Sequence, residues 1–581
     1  MAQKPFFDLE RIDPDGLRRV AGVLRGAGYT ERGARERLGL KDISELRLND
    51  YPYYQLRSLR HRGPLELAIA LFLLQGSVTE EELGQLFDAN ARKVLREAGI
   101  LVGERASRTW RSRVSIYPVG EERLFATDHR FTDHDPWLAA RVPREPVMYL
   151  GADSYYLART TLHRPIRAAL DLCTGSGVHG ILAAAHAERT VGVDVNSRAV
   201  NFARLNAVLN DAWNAVFLEG DLFTPVGNER FDLIVANPPF VPSPVYELAY
   251  RDGGPSGADV LRRIVSAIPD HLQSGGIAQV VTHVAERDGE SYLDRIRRWT
   301  GGANMHLHSV RLGEEDIVDY AVSQTKRAFG ERYPRYQKQL MDWVTNLRSQ
   351  RFKRVLGVIL TLSWNEEAPK PPWTQEDESK PPREPLAPEL SRLMAAKKRA
   401  RSIPSLADLD ALRVGIPDDI LLTERRRPTG TGFETKDFRV VFKNAKLSPE
   451  LDIKPLVRDL LERVDNRSTV PQVISRLASD LGQNLAELDE RCRRAFLVMF
   501  ERGLVTLDEV NGAAPAPTPP VIHVTPRPRG PSPADSREAS AQPEPDLASS
   551  QDGEQARPSR RDEHEKTVVE RTRHDTPPEE D

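Results

Sequence analysis

The chain has 581 residues, of which 39% are hydrophobic and 29% are charged, and its formal net charge is −3. Such a length predicts roughly three or four domains rather than one core. The near-neutral balance argues neither for nor against a nucleic-acid partner, so only local charge clusters bear on that question. Cys173 and Cys492 lie far apart in the sequence, which argues against a disulfide framework and against a cysteine-based zinc site.

Two further features of composition concern targeting and disorder. The first residues contain no apolar signal core, and the longest apolar run, residues 68–74, falls far short of the ~20 residues that span a bilayer. We therefore expect a cytoplasmic protein without membrane contact. Residues 511–581 are rich in Pro, Ser, Glu and Arg, and we expect them to be disordered.

The first part of the chain, residues 1–62, has a helical and basic pattern. Asp13 followed by Pro14 predicts the start of a helix, since proline is favoured at the first helical position. Near its end lie three tyrosines, Tyr51, Tyr53 and Tyr54. We expect them to pack in a core or between domains, and the alternative is that they stack on a base.

Residues 63–130 have the pattern of a winged helix, with three helices followed by β-prone segments. Thr79 and Glu82 predict a capping box, and a third helix is expected over residues 89–98. One interpretation is a nucleic-acid contact by basic residues of the third helix and the wing. These residues are Arg92, Lys93, Arg96, Arg105, Arg108, Arg111 and Arg113. A packing or protein-docking role is favoured, because Glu97, Glu104 and neighbouring glutamates dilute the positive charge.

Residues 145–365 alternate strand and helix patterns and predict an α/β fold with a doubly wound, seven-stranded sheet. A helix over residues 149–162 is expected to flank the cofactor pocket. The strands are expected at residues 167–173, 190–195, 215–218, 231–236, 277–284, 306–312 and 355–363. His306 and His308 alternate on one strand and are expected to be ordinary strand residues, because no third metal ligand is visible.

After this domain, residues 366–390 are rich in Pro, Glu and Lys and predict a linker. Residues 391–510 predict another small, mostly helical domain, which could be a second winged helix. Its helices are expected near residues 455–464, 470–481 and 485–502.

The first motif that carries chemistry is a glycine-rich turn after the first strand of the sheet. Gly175, Gly177 and Gly180 form a G-x-G-x-x-G pattern, which nicotinamide, flavin and methyl-donor enzymes share. Asp194, at the end of the second strand, suits the hydroxyl groups of a ribose in all of them. Asp171 favours a methyl donor, because a carboxylate beside the loop could hold an ammonium group but would repel a pyrophosphate.

The second motif is Asn237-Pro238-Pro239-Phe240 at the tip of the fourth strand. Proline removes backbone donors, so the chain must leave the sheet there. The side-chain oxygen of Asn237 and the carbonyl of Pro238 can accept both hydrogens of an NH2 group, while the Phe240 ring packs on a planar group. Asp221, after the third strand, can accept from an adenine amine.

In this order and spacing, D-L-C-T-G-S-G-V-H-G, V-D-V-N, G-D-L-F and N-P-P-F resemble the class I S-adenosylmethionine-dependent methyltransferases. The similarity is greatest to the branch that methylates nitrogen, which includes release-factor glutamine methyltransferases and small-domain rRNA N-methyltransferases. The segment 250–254 (Y-R-D-G-G) also resembles the glutamine-methylating group. Phe240 departs from the tyrosine common in glutamine and adenine methylases, and phenylalanine also occurs in rRNA guanine enzymes.

The resemblance implies S-adenosylmethionine as the cofactor, no metal, and Asn237, Pro238, Pro239 and Phe240 as the residues that clamp the target nitrogen. It implies these cofactor-binding residues: Asp171, Cys173, Thr174, Gly175, Gly177, Gly180, Asp194, Val195, Asp221, Leu222 and Asn237. We expect an N-methyltransferase acting on a macromolecule, with RNA and protein glutamine both open as substrates. The alternatives are a small-molecule N-methyltransferase, a non-catalytic nucleic-acid-binding scaffold, and an NAD-dependent oxidoreductase, which the Asn-Pro-Pro-Phe motif disfavours.

Overall fold

The computed structural model describes residues 6–104, 107–130, 143–245, 248–325, 333–366 and 370–509. The described strands are β1 Ser77–Thr79, β2 Leu101–Glu104, β3 Thr109–Ser112, β4 Ser115–Val119, β5 Arg123–Thr127, β6 Ile166–Leu172, β7 Ala187–Asp194, β8 Ala215–Glu219, β9 Phe231–Ala236, β10 Leu272–Arg287, β11 Met305–Asp316, β12 Phe352–Trp364, β13 Thr374–Glu378, β14 Leu412–Gly415, β15 Ile420–Thr429, β16 Gly432–Phe442, β17 Glu450–Ile453 and β18 Thr506–Glu509.

The described helices are α1 Pro14–Gly26, α2 Glu31–Leu38, α3 Tyr51–Arg57, α4 Pro64–Ala68, α5 Glu80–Leu86, α6 Ala89–Glu97, α7 Ala152–Thr160, α8 Val178–Ala184, α9 Ser197–Leu209, α10 Asp259–His271, α11 Tyr292–Trp299, α12 Ile317–Gln324, α13 Tyr333–Ser349, α14 Ala387–Ser402, α15 Pro455–Leu461, α16 Val470–Leu481 and α17 Leu485–Glu501. A π-helical stretch, Ile69–Leu73, continues α4. In the part of the chain that the structure describes, no helix is both long enough and apolar enough to cross a membrane.

A large sheet organises the middle of the molecule, in the order β13-β11-β12-β10-β9-β6-β7-β8. The strands from β8 to β10 run parallel, and β12 is antiparallel to both of its neighbours. The chain proceeds from β6 to one edge and then returns to β9 on the other side, so the order reverses between β6 and β9. Ligands of open α/β sheets bind at the carboxyl ends of the strands beside such a reversal. The predicted α/β fold is confirmed.

Both faces of the sheet are covered, and the two-residue period of the strands explains how. Leu170 and Leu172 of β6 join a core cluster with α10 and α11. Ala169, the residue before Leu170, packs with Ala183 of α8 on the other side. Buried parallel strands carry apolar residues on both faces, which is why these strands read as continuous apolar runs.

The eighth strand corrects the expected linker at residues 366–390. β13 pairs in parallel with β11, and its Gln375 and Asp377 side chains are buried. Composition alone indicated a linker, because polar residues occupy both faces of this strand. Backbone hydrogen bonds to β11 and polar contacts of the buried side chains hold it instead.

The N-terminal segment (residues 6–130) packs against α9. Helix α1 begins at Pro14, and the Thr79 side chain accepts from Glu82 N in a capping box, both as predicted. Asn206 of α9 and Asn210, the residue after its end, hold the backbone of β5: their side-chain oxygens accept hydrogen bonds from Ala126 N (2.7 Å) and Leu124 N (2.9 Å). Helices α5 and α6 adjoin a small sheet of order β1-β3-β2, and its designation as a winged helix stays a prediction.

The C-terminal segment (residues 387–509) contains four of the described helices and two small sheets. The strands β15 and β16 form a long hairpin with mostly exposed side chains. The prediction of a mostly helical region did not include this hairpin, because charged residues on both of its faces leave no alternating apolar pattern in the sequence. The tail expected to be disordered, residues 511–581, lies outside the described residues, as does Arg105.

Candidate functional site

The glycine-rich turn lies between the end of β6 and the start of α8, at the carboxyl edge of the sheet. Gly175 and Gly177 have φ angles of 54° and 81°, and Cys173 has a φ of 54°. A Cβ atom at Gly177 would lie 2.9 Å from the Cβ of Ala203, so a side chain there would push α9 away. At Gly175 a Cβ atom would meet no other atom, so this glycine faces open space. Glycine is favoured there because of the positive φ angle, which residues with a side chain rarely adopt.

Asp171 anchors the turn from beneath. Its Oδ2 accepts hydrogen bonds from Thr174 Oγ1 (2.5 Å) and Gly180 N (2.7 Å). The carboxyl group is buried, and burial raises the pKa of Asp171 to about 7. Its Oδ1 is buried without a hydrogen-bond partner among the described residues. An unpaired buried acceptor beside the loop fits an ammonium group of a ligand.

Asp194 closes the turn from the neighbouring strand. It accepts from Gly175 N (2.8 Å) and from Asn196 N (2.9 Å). A carboxylate offers about four lone-pair positions, so these two bonds leave room for ribose hydroxyls. Val195, the next residue, has 64% of its surface exposed. This exposed apolar side chain beside the loop can cover one face of an adenine ring.

Asp221 reaches the same edge but has a partner that the sequence did not indicate. Its Oδ2 forms an ion pair with Arg263 Nη2 at 2.6 Å, and both side chains are about half exposed. Burial raises the pKa of the Cys173 thiol, and the charges of Asp194, Asp171 and Asp221 raise it further. Cys173 is therefore expected to stay a neutral thiol within the turn. Leu222, after Asp221, is buried.

Asn237 follows the last residue of β9 and is half-buried. Its Nδ2 donates to Ser154 Oγ of α7 at 3.4 Å. With the nitrogen so engaged, the side-chain oxygen has no partner among the described residues. The helix expected to flank the cofactor pocket thus contacts the residue expected to clamp the target nitrogen. Pro238 is buried and Pro239 is half-buried.

The Phe240 ring has a partner that sequence reasoning missed. The ring centroids of Phe240 and His283 are 4.4 Å apart, and His283 Nδ1 is 3.0 Å from the hydroxyl oxygen of Tyr320. Burial lowers the pKa of His283, and the negative charge of Asp153 opposes this change. His283 lies on β10 beyond the point where Val280 pairs with Ala236, the last residue of β9. A histidine on the neighbouring strand, just past the end of the motif strand, could have been predicted from sequence as a contact of the motif.

The segment after the motif packs directly on it. Val241 N donates to Arg251 O (2.9 Å), and Gly253 N donates to Val241 O (3.0 Å). A Cβ atom at Gly253 would lie 2.7 Å from Pro239 O, and one at Gly257 would lie 2.5 Å from Phe240 O. These glycines are therefore needed for a close backbone approach that fixes the position of the motif.

The two histidines of β11 lie far along the sheet from this site and have separate partners. His306 Nδ1 accepts from Trp373 N at 3.2 Å, and His308 Nε2 is 2.7 Å from Asp377 Oδ2. Among the described ranges, no cluster of three or more His, Cys, Asp or Glu residues could hold a metal ion.

Three of the six described basic residues of the predicted nucleic-acid face are paired with carboxylates. Arg92 forms an ion pair with Glu80 at 2.5 Å, and Glu80 also accepts from the indole nitrogen of Trp110. Weaker pairs join Lys93 to Glu97 (3.8 Å) and Arg111 to Glu104 (3.5 Å). Pairing reduces the positive potential that α6 and the wing present to a phosphate backbone.

Comparison with known proteins gives a consistent set of matches. A family model described as the methyltransferase small domain matches residues 152–296. A release factor glutamine methyltransferase of Geobacter sulfurreducens is 33% identical over 187 residues, covering 26% of this chain and 65% of the relative. A Methanocaldococcus jannaschii protein assigned to the protein N5-glutamine methyltransferases is 35% identical over 137 residues, covering 22% of this chain and 68% of the relative. A ribosomal protein uL3 glutamine methyltransferase of Bradyrhizobium diazoefficiens is 40% identical over 121 residues, covering 18% of this chain and 38% of the relative.

The matches leave much of each protein unaligned. The chain spans less than two thirds of the length of the Geobacter and Bradyrhizobium relatives. The family model covers the part of the chain that holds the glycine-rich turn, Asp194, Asp221 and the Asn-Pro-Pro-Phe motif.

Proposed function

The chain belongs to the class I methyltransferases that contain the methyltransferase small domain, and from that premise we propose that it transfers a methyl group from S-adenosylmethionine to the side-chain nitrogen of a protein glutamine. The observation that carries this proposal is the open side-chain oxygen of Asn237, held at the end of β9 by Ser154. It lies at the same edge of the sheet as the glycine-rich turn.

The residues around the turn fit the proposed cofactor. The unpaired Oδ1 of Asp171 would accept from its ammonium group, and Asp194 would accept from its ribose. Val195 and Leu222 would border the adenine ring, with Asp221 accepting from the adenine amine after Arg263 moves aside. Remaining contacts would come from the turn itself: Cys173, Thr174, Gly175, Gly177 and Gly180. The cofactor supplies a methyl group that is already activated on a sulfonium, so the protein contributes positioning and charge placement.

The motif residues would hold the target amide. Asn237 Oδ1 and the Pro238 carbonyl would accept its two N–H groups, which draws the nitrogen lone pair out of conjugation. Pro239 and the Phe240 ring would pack beside the planar group, with the ring braced from behind by His283. The proton that the nitrogen gives up passes to water.

Three observations favour a protein glutamine over a nucleic-acid base. The glycine segment that resembles the glutamine-methylating group packs on the motif itself, and three relatives are named for glutamine methylation. Three of the six described basic residues of α6 and the wing, namely Arg92, Lys93 and Arg111, are paired with carboxylates. A base would also have to leave its stack to reach Asn237, whereas a glutamine on an exposed loop would not.

The test uses the full chain, methyl-labelled S-adenosylmethionine and a cell extract. We expect protease to release the label and exhaustive proteolysis to yield N-methylated glutamine. Acid hydrolysis should liberate the label as methylamine, because acid cleaves the side-chain amide and leaves glutamate. Asn237→Ala should lower the rate by about a hundredfold or more, the size of losing one preorganised polar group at a reacting centre, while cofactor affinity stays unchanged. Asn228→Ala, at an exposed position of the same domain, is the matched control. Label released by nuclease, or full activity of Asn237→Ala, would overturn the proposal.

A further inference from the structure

A second concave site lies on the N-terminal segment, between the end of α2 and the turn after α3. Its volume is about 410 Å³, which falls within the range of sites for small ligands. Its walls are formed by Glu36, Arg37, Leu38, Gly39, Tyr53, Tyr54, Arg57, Ser58, Arg60 and His61. None of these residues belongs to the glycine-rich turn or to the Asn-Pro-Pro-Phe motif, so the methyltransferase site does not account for this cavity.

Positive side chains predominate in the cavity wall, where three arginines accompany one glutamate, Glu36. Arg37 forms an ion pair with Glu66 at 2.7 Å. Arg57 and Arg60, in contrast, are exposed and form no ion pair with a carboxylate among the described residues. Arg57 contacts the Tyr53 hydroxyl, and Arg60 donates to Leu56 O at 3.0 Å. Two guanidinium groups therefore remain available to bind an anion in a bidentate manner.

Aromatic rings accompany these charges. Tyr51 is buried, as expected, but Tyr53 has 49% of its surface exposed and Tyr54 is half-buried. The ring centroids of Tyr53 and Tyr54 are 5.3 Å apart in an edge-to-face arrangement, and the guanidinium carbon of Arg57 lies 5.5 Å from the Tyr53 centroid. Leu56, one turn along the helix, is 75% exposed and extends the apolar surface.

We propose that this cavity binds a nucleotide unit of a single-stranded nucleic acid, with the phosphate on Arg57 and Arg60 and the base stacked on Tyr53. Unpaired guanidinium groups beside an exposed aromatic ring are the combination that binds unstacked nucleotides. An acidic peptide would use the arginines but would leave the tyrosine ring without a function. The proposal is independent of the methyl acceptor, because it rests on a different part of the chain.

The test measures binding of a short fluorescein-labelled oligouridine to the full chain by fluorescence anisotropy. We expect binding that weakens steeply as salt increases, because phosphate contacts release counterions. Tyr53→Ala should weaken binding about tenfold through lost stacking. Arg57→Gln and Arg60→Gln should each reduce the slope of log affinity against log salt by about one. Thermal unfolding of each variant checks that it is folded.

Two matched controls separate the site from the general charge of the protein. Arg32→Gln removes an exposed arginine of α2 that already pairs with Glu121, and Tyr333→Ala removes an exposed tyrosine of α13. Both should bind oligouridine as the unchanged protein does. Competition by uridine monophosphate as strong as that of the strand would identify a free nucleotide as the source of the ligand, and weaker competition would identify a strand.

Three results would overturn the proposal. The first is no binding of oligouridine at low salt, and the second is unchanged binding by all three site variants. The third is binding of polyglutamate, but not of oligouridine, with loss in the Arg57 and Arg60 variants, which would make the site one for an acidic protein. Methyl transfer is not a readout here, so failure of this proposal and failure of the proposed function are distinguishable.

Discussion

Asp171 uses one carboxylate oxygen to hold the glycine-rich turn, and its other oxygen is buried without a hydrogen-bond partner in the part of the chain that the structure describes. Burial raises its pKa to about 7, so the group is mostly protonated below that pH and charged above it. Only the charged form attracts an ammonium group. Affinity for S-adenosylmethionine should therefore rise by about tenfold per pH unit up to about pH 7 and then level off. Isothermal titration calorimetry from about pH 5.5 to about pH 8.5 measures this dependence.

Two controls isolate the carboxyl group of Asp171. Asp171→Asn keeps an oxygen that can accept from Thr174 and Gly180, so the turn should persist while the pH dependence disappears. Methylthioadenosine lacks the ammonium group, so its affinity should not change with pH in the unchanged protein. If methylthioadenosine shows the same pH dependence, or if S-adenosylmethionine shows none, Asp171 does not bind the ammonium group.

The site could be predicted from sequence only where its residues are close along the chain. The glycine-rich turn and the Asn-Pro-Pro-Phe motif are continuous, and each follows a strand, so strand order brings them to one edge. Ser154 and His283 come from an earlier helix and a later strand, and their contacts with Asn237 and Phe240 depend on packing. The partner of Asp221 was missed for the same reason, because Arg263 is a helix residue that carries no motif.

Helix α7 connects the candidate site to the N-terminal segment. At one end, Ser154 contacts Asn237. At the other, the buried Arg159 contacts Glu31, donates to Asp42 Oδ2 at 2.6 Å and donates to Pro382 O at 2.7 Å. Arg159→Met would leave the buried carboxylate of Asp42 and the half-buried carboxylate of Glu31 without their cation. We expect a loss of about 3–5 kcal/mol in the free energy of unfolding, measured by urea denaturation followed by circular dichroism.

An exposed ion pair provides the control for Arg159. Arg494 and Glu490 form a pair at 2.5 Å on α17, with both side chains more than half exposed. Solvent screens such a pair, so Arg494→Met should change the free energy of unfolding by less than about 0.5 kcal/mol. Equal effects of the two substitutions would show that burial of Arg159 does not determine its contribution.

Among the strands, the buried ones could be predicted from the sequence and the exposed or polar ones could not. The strands from β6 to β12 lie within the large sheet, and the expected positions overlap each of them. The hairpin of β15 and β16 exposes both faces, and β13 pairs with β11 through a polar edge. Their stability comes from backbone pairing with distant residues and from polar contacts, which leave no periodic apolar pattern in the sequence.

At the other edge of the sheet, Asp377 of β13 joins the C-terminal segment to the rest of the described fold. Its Oδ1 accepts from Ser448 Oγ (2.9 Å) and Arg502 Nη1 (3.0 Å), and its Oδ2 lies 2.7 Å from His308 Nε2. Ser448 and Arg502 belong to the C-terminal segment, whereas His308 belongs to the sheet. Burial would raise the pKa of Asp377, but the hydrogen bond and charge of His308 and the charge of Arg502 lower it to about 2.

A lowered pKa in the folded chain means that the charged carboxylate stabilises the fold above the ordinary pKa of 3.8 and that this contribution disappears as the pH falls towards 2. Asp377→Asn should therefore reduce the free energy of unfolding by about 2 kcal/mol at neutral pH and by progressively less below about pH 4. Urea denaturation at a series of pH values, followed by near-ultraviolet circular dichroism, measures the free energy of unfolding and its dependence on pH. Asp342→Asn, in an exposed pair on α13, should change neither the free energy of unfolding nor its dependence on pH. A difference between Asp377→Asn and the unchanged protein that stays constant down to about pH 2 would contradict this account, because a neutral polar contact rather than a buried charge would then join the C-terminal segment to the sheet.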